Sequence, residues 1–307
     1  MPDSGVFHWG ELAAQTRAGY TERAAAVSRL VRPVLPNGAE DFLAEQRLLV
    51  VGAQGEDGRL WASLFAGPRG FVSALDDESV LVRARLAADD PAEPMTRRPG
   101  RLGLLAIDLQ TRIRLRVNGT STPLPGGLLL AVEQSFPNCP KYIQRRSAAE
   151  PDDAGAGEPG PGAGAAVSAL TGTMRELVAH ADTFFVASAS AAGDPDVSHR
   201  GGNPGFVEVL SPTRLRWPDY VGNSMLMTLG NMIENPRAGL TFVDWASGST
   251  LQLTGRAEVR WPEGAGAATS GPRLVEFEVE AAVHRPGALA LRWSPPSLSR
   301  FNPPLAA

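Results

Sequence analysis

With 307 residues, the chain is longer than most single β-sandwiches and suits two domains of about 150 residues each. Apolar residues at 43% and charged residues at 20% fit a globular protein. A net charge of −4, from 29 basic and 33 acidic side chains with no long basic run, excludes a general nucleic-acid or anionic-membrane binder and leaves room for a local basic pocket. The one cysteine, Cys139, excludes an intrachain disulfide and a multi-cysteine zinc site.

The longest apolar runs, such as Leu48–Val51 and Thr183–Ala187, have the length of strands and not of a membrane span. The opening Met-Pro-Asp-Ser lacks a basic segment followed by an apolar one, so a cytoplasmic location is expected, with neither membrane nor nucleic acid as partner. From Glu11 to Val31, the residues Leu12, Ala13, Thr16, Tyr20, Ala24, Val27 and Val31 fall near one helical face, and Arg32-Pro33 ends the pattern. Leu48–Ala53 and the alternating Arg112–Val117 read as strands.

Residues 147–166 are rich in Gly, Pro and Ala without apolar periodicity and read as a linker. They include Gly162-Ala163-Gly164, but no strand precedes it, so a dinucleotide loop is not indicated. The expected division is therefore 1–146, an N-terminal helix and first repeat; 147–166, the linker; and 167–307, a second repeat with a Pro-rich tail. In the second part, Phe184–Ser190, Phe206–Leu210, Leu215–Trp217, Thr250–Val259 and Leu274–Val283 read as strands. Ser224–Glu234 reads as a helix whose Met225, Leu226, Leu229, Met232 and Ile233 face a core, stopped by Asn235-Pro236.

The two parts repeat each other. At one constant offset Leu49-Val50-Val51 meets Phe184-Phe185-Val186, Ser63 meets Ser198, and Gly70-Phe71-Val72 meets Gly205-Phe206-Val207. One residue further on, Leu104 meets Leu240, Asp108 meets Asp244 and Gly119 meets Gly255. Short strands at this spacing, given twice, indicate tandem antiparallel barrels or sandwiches.

Scaffold matches where chemistry does not. His199-Arg200 stands opposite Leu64-Phe65, and Asp219-Tyr220-Val221-Gly222-Asn223-Ser224 stands opposite Asp89-Asp90-Pro91-Ala92-Glu93-Pro94, whose acids would repel a phosphate. Conversely, the end of the first repeat carries Asn138-Cys139-Pro140-Lys141-Tyr142-Ile143-Gln144-Arg145-Arg146, where the second has the mostly apolar Arg285–Trp293. Packed about a pseudo-twofold axis, the two polar stretches meet in one composite pocket and the symmetric one stays blank. Gly222-Asn223-Ser224 at a helix start, with Arg200, Lys141 and Arg145, suits an anion. Glycines 201, 202 and 205 would let backbone approach a flat ring.

At these residues the chain resembles the pyridoxamine 5′-phosphate oxidase-related, FMN-binding split β-barrel family. The likeness runs through Gly201-Gly202-Asn203-Pro204-Gly205-Phe206-Val207, Pro218-Asp219, Gly222-Asn223, Asn235-Pro236 and Gly255-Arg256-Ala257. The first half is similar to two-barrel members through Phe7–Glu11, Trp61-Ala62-Ser63 and Cys139–Gln144. The resemblance implies a mainly β tandem split barrel. It also implies FMN held by Arg200, Asn223, Ser224, Lys141 and Gln144, with His199, Gly201 and Tyr142 nearer the ring; Asn138, Arg145 and Tyr220 complete the candidate set.

The tail, Ser294–Ala307, departs from the vitamin-B6 phosphate-binding ending, so the resemblance implies flavin redox chemistry and not B6 oxidation. His199 is the candidate acid or base, since histidine titrates near neutrality. A flavin carrier or sensor needs the same pocket. A haem protein would draw its ligand from His8, His180, His199 and His284. A hydrolase finds no Gly-x-Ser-x-Gly elbow. Substrate and electron donor or acceptor stay open, as does the choice between a pseudo-dimeric monomer and a homodimer.

Overall fold

The computed structural model describes residues 5–149, 162–262 and 273–305, so most of the expected linker lies outside the described residues. Two seven-stranded antiparallel sheets form the molecule. The first contains β1 (Leu48–Gln54), β2 (Leu60–Ala66), β3 (Val72–Ala74), β4 (Ser79–Val82), β5 (Gly100–Asp108), β6 (Ile113–Leu124) and β7 (Gly127–Pro137). The second contains β8 (Thr183–Ala189), β9 (Pro195–Gly201), β10 (Glu208–Ser211), β11 (Arg214–Asp219), β12 (Arg237–Val243), β13 (Thr250–Arg260) and β14 (Arg273–Arg285).

Their strand orders, β2-β1-β5-β6-β7-β4-β3 and β9-β8-β12-β13-β14-β11-β10, are the same order used twice. Register follows suit. Val51 pairs with Ser63 as Val186 pairs with Ser198, and both long hairpins bulge at one place, Asn118/Gly119 and Thr254/Gly255. The fold is thus mainly β and consistent with tandem split barrels.

Each sheet curls around its own apolar core, one including Phe65 and Leu102 and the other Phe184 and Trp217. A third core lies between the barrels and draws on both, with Val50 and Leu105 from the first and Phe185 and Val197 from the second. Two glycines set how closely the barrels approach. A Cβ on Gly103 of β5 would lie 2.8 Å from Asp196 Cα, and one on Gly239 of β12 would lie 2.5 Å from the Leu60 carbonyl oxygen. These glycines are equivalent in the two repeats, so the seam is closed from both sides by the same device.

The helices depart from the sequence reading. The expected helix over 11–31 is two, α1 (Trp9–Ala18) and α2 (Thr21–Ser28), because Gly19 turns left-handed at φ 68° and caps α1. Three further helices, α3 (Ala39–Ala44), α4 (Glu93–Thr96) and α5 (Gly172–His180), lack the long apolar periodicity that would announce them. The expected helix from Ser224 starts three residues later, as α6 (Met227–Glu234). Asn223 Oδ1 accepts from the Met225 N–H at 3.1 Å, and this local turn, with Ser224 at φ 65° and Leu226 at φ 56°, displaces the first helical turn. Met225, Leu229 and Met232 are buried as the stripe predicted.

The described ends of the linker are paired to the barrel. Ala149 N–H donates to the Arg292 carbonyl and Gly164 N–H to the His284 carbonyl of β14, and Val167, the first residue past the linker, donates to Ala282 of the same strand. Among the described residues, no helix is long and apolar enough to cross a membrane.

Glu11 is buried in α1, where its carboxylate accepts from the His8 N–H. Burial, opposed by His8 and reinforced by Asp196 and Glu234, pushes its carboxyl up to about 7. The folded state therefore holds this proton more tightly than the unfolded chain. The resulting stabilisation is full below about pH 4.5, declines as pH rises to about 7, and stays lost above.

The decline, of order 3 kcal/mol, should vanish in Glu11→Gln, so urea midpoints of variant and parent should diverge between pH 5 and 7; parallel curves would refute the assignment. At the seam, Gly239→Val should lower stability by about 1–3 kcal/mol or more. Gly126→Ala, where a Cβ meets nothing within 4 Å, should change the urea midpoint little.

Candidate functional site

The seam lays β6 of the first barrel beside β9 of the second. Alternation along β6 puts Arg114 and Arg116 on one face, and both reach β9. Arg116, buried, donates to Asp196 Oδ2 at 2.5 Å and to Ser198 Oγ at 2.6 Å. Arg114 donates to two carbonyls, of Cys139 at 2.6 Å and His199 at 3.4 Å, and has no carboxylate partner among the described residues. Arg200 donates to Ser198 Oγ at 2.8 Å and lies 3.6 Å from Asp219, a carboxylate it shares with Arg273.

These groups line a cleft of about 670 Å³, open solvent included, with Asn138, Lys141 and Tyr142 from the first repeat, and His199, Gly201, Tyr220, Asn223 and Ser224 from the second. Four cationic side chains face it, against Asp219 as the one acid in its lining. Burial first, then the neighbouring Arg116 and Arg200, push the Arg114 guanidinium down to about 9, so it stays charged at neutral pH. Burial also lowers Arg200, with Asp219 opposing.

Residues from both repeats hold the rim. Asn223 donates to Asn138 Oδ1 at 3.3 Å, and the Tyr142 and Tyr220 rings lie 5.1 Å apart, with Tyr142 Oη donating to the Val221 carbonyl. The first residues of α6 form the inner wall. Its N-cap, Leu226, supplies no side-chain acceptor, and the buried Thr228 Oγ1 has no partner. Open N–H groups at a helix start favour an anion.

Of the residues singled out from the sequence, the structure brings Asn138, Lys141, Tyr142, His199, Arg200, Gly201, Tyr220, Asn223 and Ser224 together. It does not bring Gln144 or Arg145. Gln144 is fully buried, where it donates to the Tyr142 and Gly202 carbonyls and accepts from the Ser299 N–H, tying the tail to the barrel. Arg145 is exposed and forms a backbone bridge with Ser297.

Three other expectations change. Ser224 is not at a helix start, because of the displaced α6. Gly201 and Gly202 do not leave space for a ring: added Cβ atoms would meet the Tyr142 carbonyl oxygen at 2.1 Å and the Phe206 ring at 2.6 Å. His199 does not titrate near neutrality. It is buried, and burial, then Arg114, Arg200 and Arg146, lower it well below the usual histidine range, so the ring is neutral and its Nε2 has no partner.

Arg114 and Arg116 were missed. Their signal was present: arginines alternating in RIRLRV, on a strand whose Leu115 and Val117 enter the core, demand partners that a solvated face would not need.

Comparison with known proteins finds a family-model match within the second repeat. Residues 170–286 match the family model described as pyridoxamine 5′-phosphate oxidase. No functionally curated protein matches. Among solved structures, a candidate pyridoxamine 5′-phosphate oxidase from Lactobacillus delbrueckii is 20% identical, over 38% of this chain and 94% of its own, with a TM-score of 0.31. A Clostridium acetobutylicum protein related to general stress protein 26, of the pyridoxinephosphate oxidase family, is 16% identical over 39% and 89%, with a TM-score of 0.26. HutZ, the haem storage protein of Vibrio cholerae, is 12% identical over 38% and 95%, with a TM-score of 0.28. At these values the structures carry no argument about function. The match covers less than half of the chain, the segment that supplies β8 to β14, and shows a likeness of the second repeat to that family.

Proposed function

We propose that the cleft binds FMN, one per chain, and that the protein is an FMN-dependent oxidoreductase. The observation that carries this reading is Arg114, a guanidinium without a carboxylate partner among the described residues, set beside Arg116 and Arg200 in a cleft that Lys141 also lines. Like charges gathered away from water are unfavourable unless an anion joins them, and a phosphate would do so. Arg114, Arg200, Lys141, Thr228 and the start of α6 would hold the phosphate. Tyr142, Tyr220 and His199 would flank the remainder of the cofactor.

FMN supplies hydride or electron transfer when bound. The protein's own groups orient it and exclude water. His199, neutral at physiological pH, serves as a hydrogen-bonding partner through Nε2 and not as an acid. Residues of both repeats complete the site, so the reading needs no second copy of the chain.

The pseudo-symmetric cleft of the same architecture explains why one site is expected. The equivalents of Ser198, His199, Gly201, Arg114, Arg116 and Tyr142 are Ser63, Leu64, Ala66, Thr250, Gln252 and Leu289, which line a matching cleft. There Asp90 sits buried, accepting from Ser63 at 2.5 Å, Arg285 at 2.9 Å and Gln252 at 3.2 Å. Its carboxylate neutralises Arg285 internally, where the other cleft keeps an excess of cations.

Haem is the second reading, favoured by one observation: the His199 Nε2 has no partner, whereas His8 bonds to Glu234 and Asn231 and His180 to the Glu176 carbonyl. A flavin carrier would share the pocket and lack turnover with NADH or NADPH and an acceptor.

Absorbance of the protein as purified and after titration with FMN should give a flavin spectrum near one per chain. Arg114→Ala, Lys141→Ala and Asn223→Ala should each weaken that single site, the charged pair by about ten- to a hundredfold. Riboflavin, which lacks the phosphate, should bind far less tightly. A Soret band would establish the haem reading, and indifference to both ligands would end both. Asp90→Ala, which leaves Arg285 only Asp89 as an ionic partner and removes the acceptor of the buried Ser63, should lose about 1–3 kcal/mol in urea denaturation; an unchanged urea midpoint would contradict the internal ion pair.

A further inference from the structure

A second cleft, sharing no lining residue with the first, opens beside the end of α5 and the β12–β13 turn. It spans about 1320 Å³, open to solvent, and two indoles make its corner. Trp245 and Trp293 stand 5.0 Å apart at 80°, held by a hydrogen bond from Trp293 N–H to the Trp245 carbonyl. Leu177 and Pro295 extend the apolar wall.

Also in the lining are Arg146 and Asp182, an ion pair at 2.6 Å with both side chains 5% exposed. Arg146 lies over the Trp245 ring at 5.1 Å. The pair is incompletely satisfied: Arg146 Nε and Nη1 and Asp182 Oδ1 have no partners. Buried polar atoms are normally paired, so orphaned donors and an orphaned acceptor on one ion pair stand out. The equivalent positions in the first repeat, Leu109 for Trp245 and Arg47 for Asp182, cannot reproduce the arrangement.

We infer that this cleft is a binding site for a neutral, flat aromatic molecule bearing a carboxamide-type edge. Trp293, half-buried at this corner and backed by the buried Trp245, offers its ring to an aromatic ligand. The ion pair is neutral overall, so a net charge on the ligand gains nothing from it. One acceptor and one donor on the same edge match it instead, an amide oxygen taking a hydrogen bond from Arg146 and an amide N–H giving one to Asp182. The site stands on its own residues and does not depend on the flavin reading.

The test is saturation-transfer NMR with benzamide, toluene and benzoate on the full chain. Benzamide should bind saturably and at least fivefold more tightly than either of the others. Thr173→Phe, a substitution at an exposed lining position of α5, should block the cleft without touching the core and reduce benzamide binding at least fivefold. Arg114→Ala, in the other cleft, should leave it unchanged. Absence of saturable benzamide binding would overturn the site, as would indifference to Thr173→Phe. Toluene or benzoate binding as tightly as benzamide would overturn the amide recognition.

Discussion

The close approach of the two barrels is the constraint on which the rest depends. Gly103 against Asp196 and Gly239 against Leu60 leave no space for a side chain, and the apolar layer around Val50, Leu105, Phe185 and Val197 fills what remains. Only with backbone this near backbone can β6 present Arg114 and Arg116 to β9. The buried Arg116–Asp196 pair then fixes the register of the two barrels, because neither charge can be left alone away from water. A wider seam would admit solvent and dissolve the electrostatic character of the cleft.

Two copies of one architecture have reached opposite electrostatic solutions in equivalent clefts. On one side, Asp90 answers Arg285 from within the chain, through a carboxylate held by Ser63 and Gln252 as well. On the other, Arg114 has only carbonyl partners, Arg200 shares Asp219 with Arg273, and the start of α6 lacks a side-chain cap. Internal neutralisation stabilises a fold, whereas an excess of charge beside open N–H groups is a feature that a ligand stabilises. The asymmetry resides in a few side chains, since the strand order and register are common to both.

The same burial governs proton chemistry across the molecule, with its sign set by the charge of each group. Loss of water raises the Glu11 carboxyl and lowers His199, in each case favouring the neutral form. For His199 the surrounding guanidiniums act in the same direction, so the arginines that attract an anion also keep this imidazole neutral. Burial comes first there, and the cationic lining of the cleft adds to it.

The sequence by itself determined the repeat, the strand positions and the asymmetry between halves. Period-two alternation and glycines kept in step are local signals, and a duplicated scaffold reports them twice. It placed His199, Arg200, Lys141, Tyr142 and Asn223 in one pocket because they were the polar residues unmatched in the other copy. Only the tertiary structure decided which neighbours join them. Gln144 turns inward to hold the tail, Arg145 stays outside, and Arg114 and Arg116 arrive from a strand far away in the chain. The break at Gly19 and the late start of α6 follow from local turns that helical periodicity runs straight through. Side-chain chemistry is written in the chain, but whether a charge finds a partner, water or an empty cleft depends on how closely two barrels pack, and that distance is a property of the folded whole.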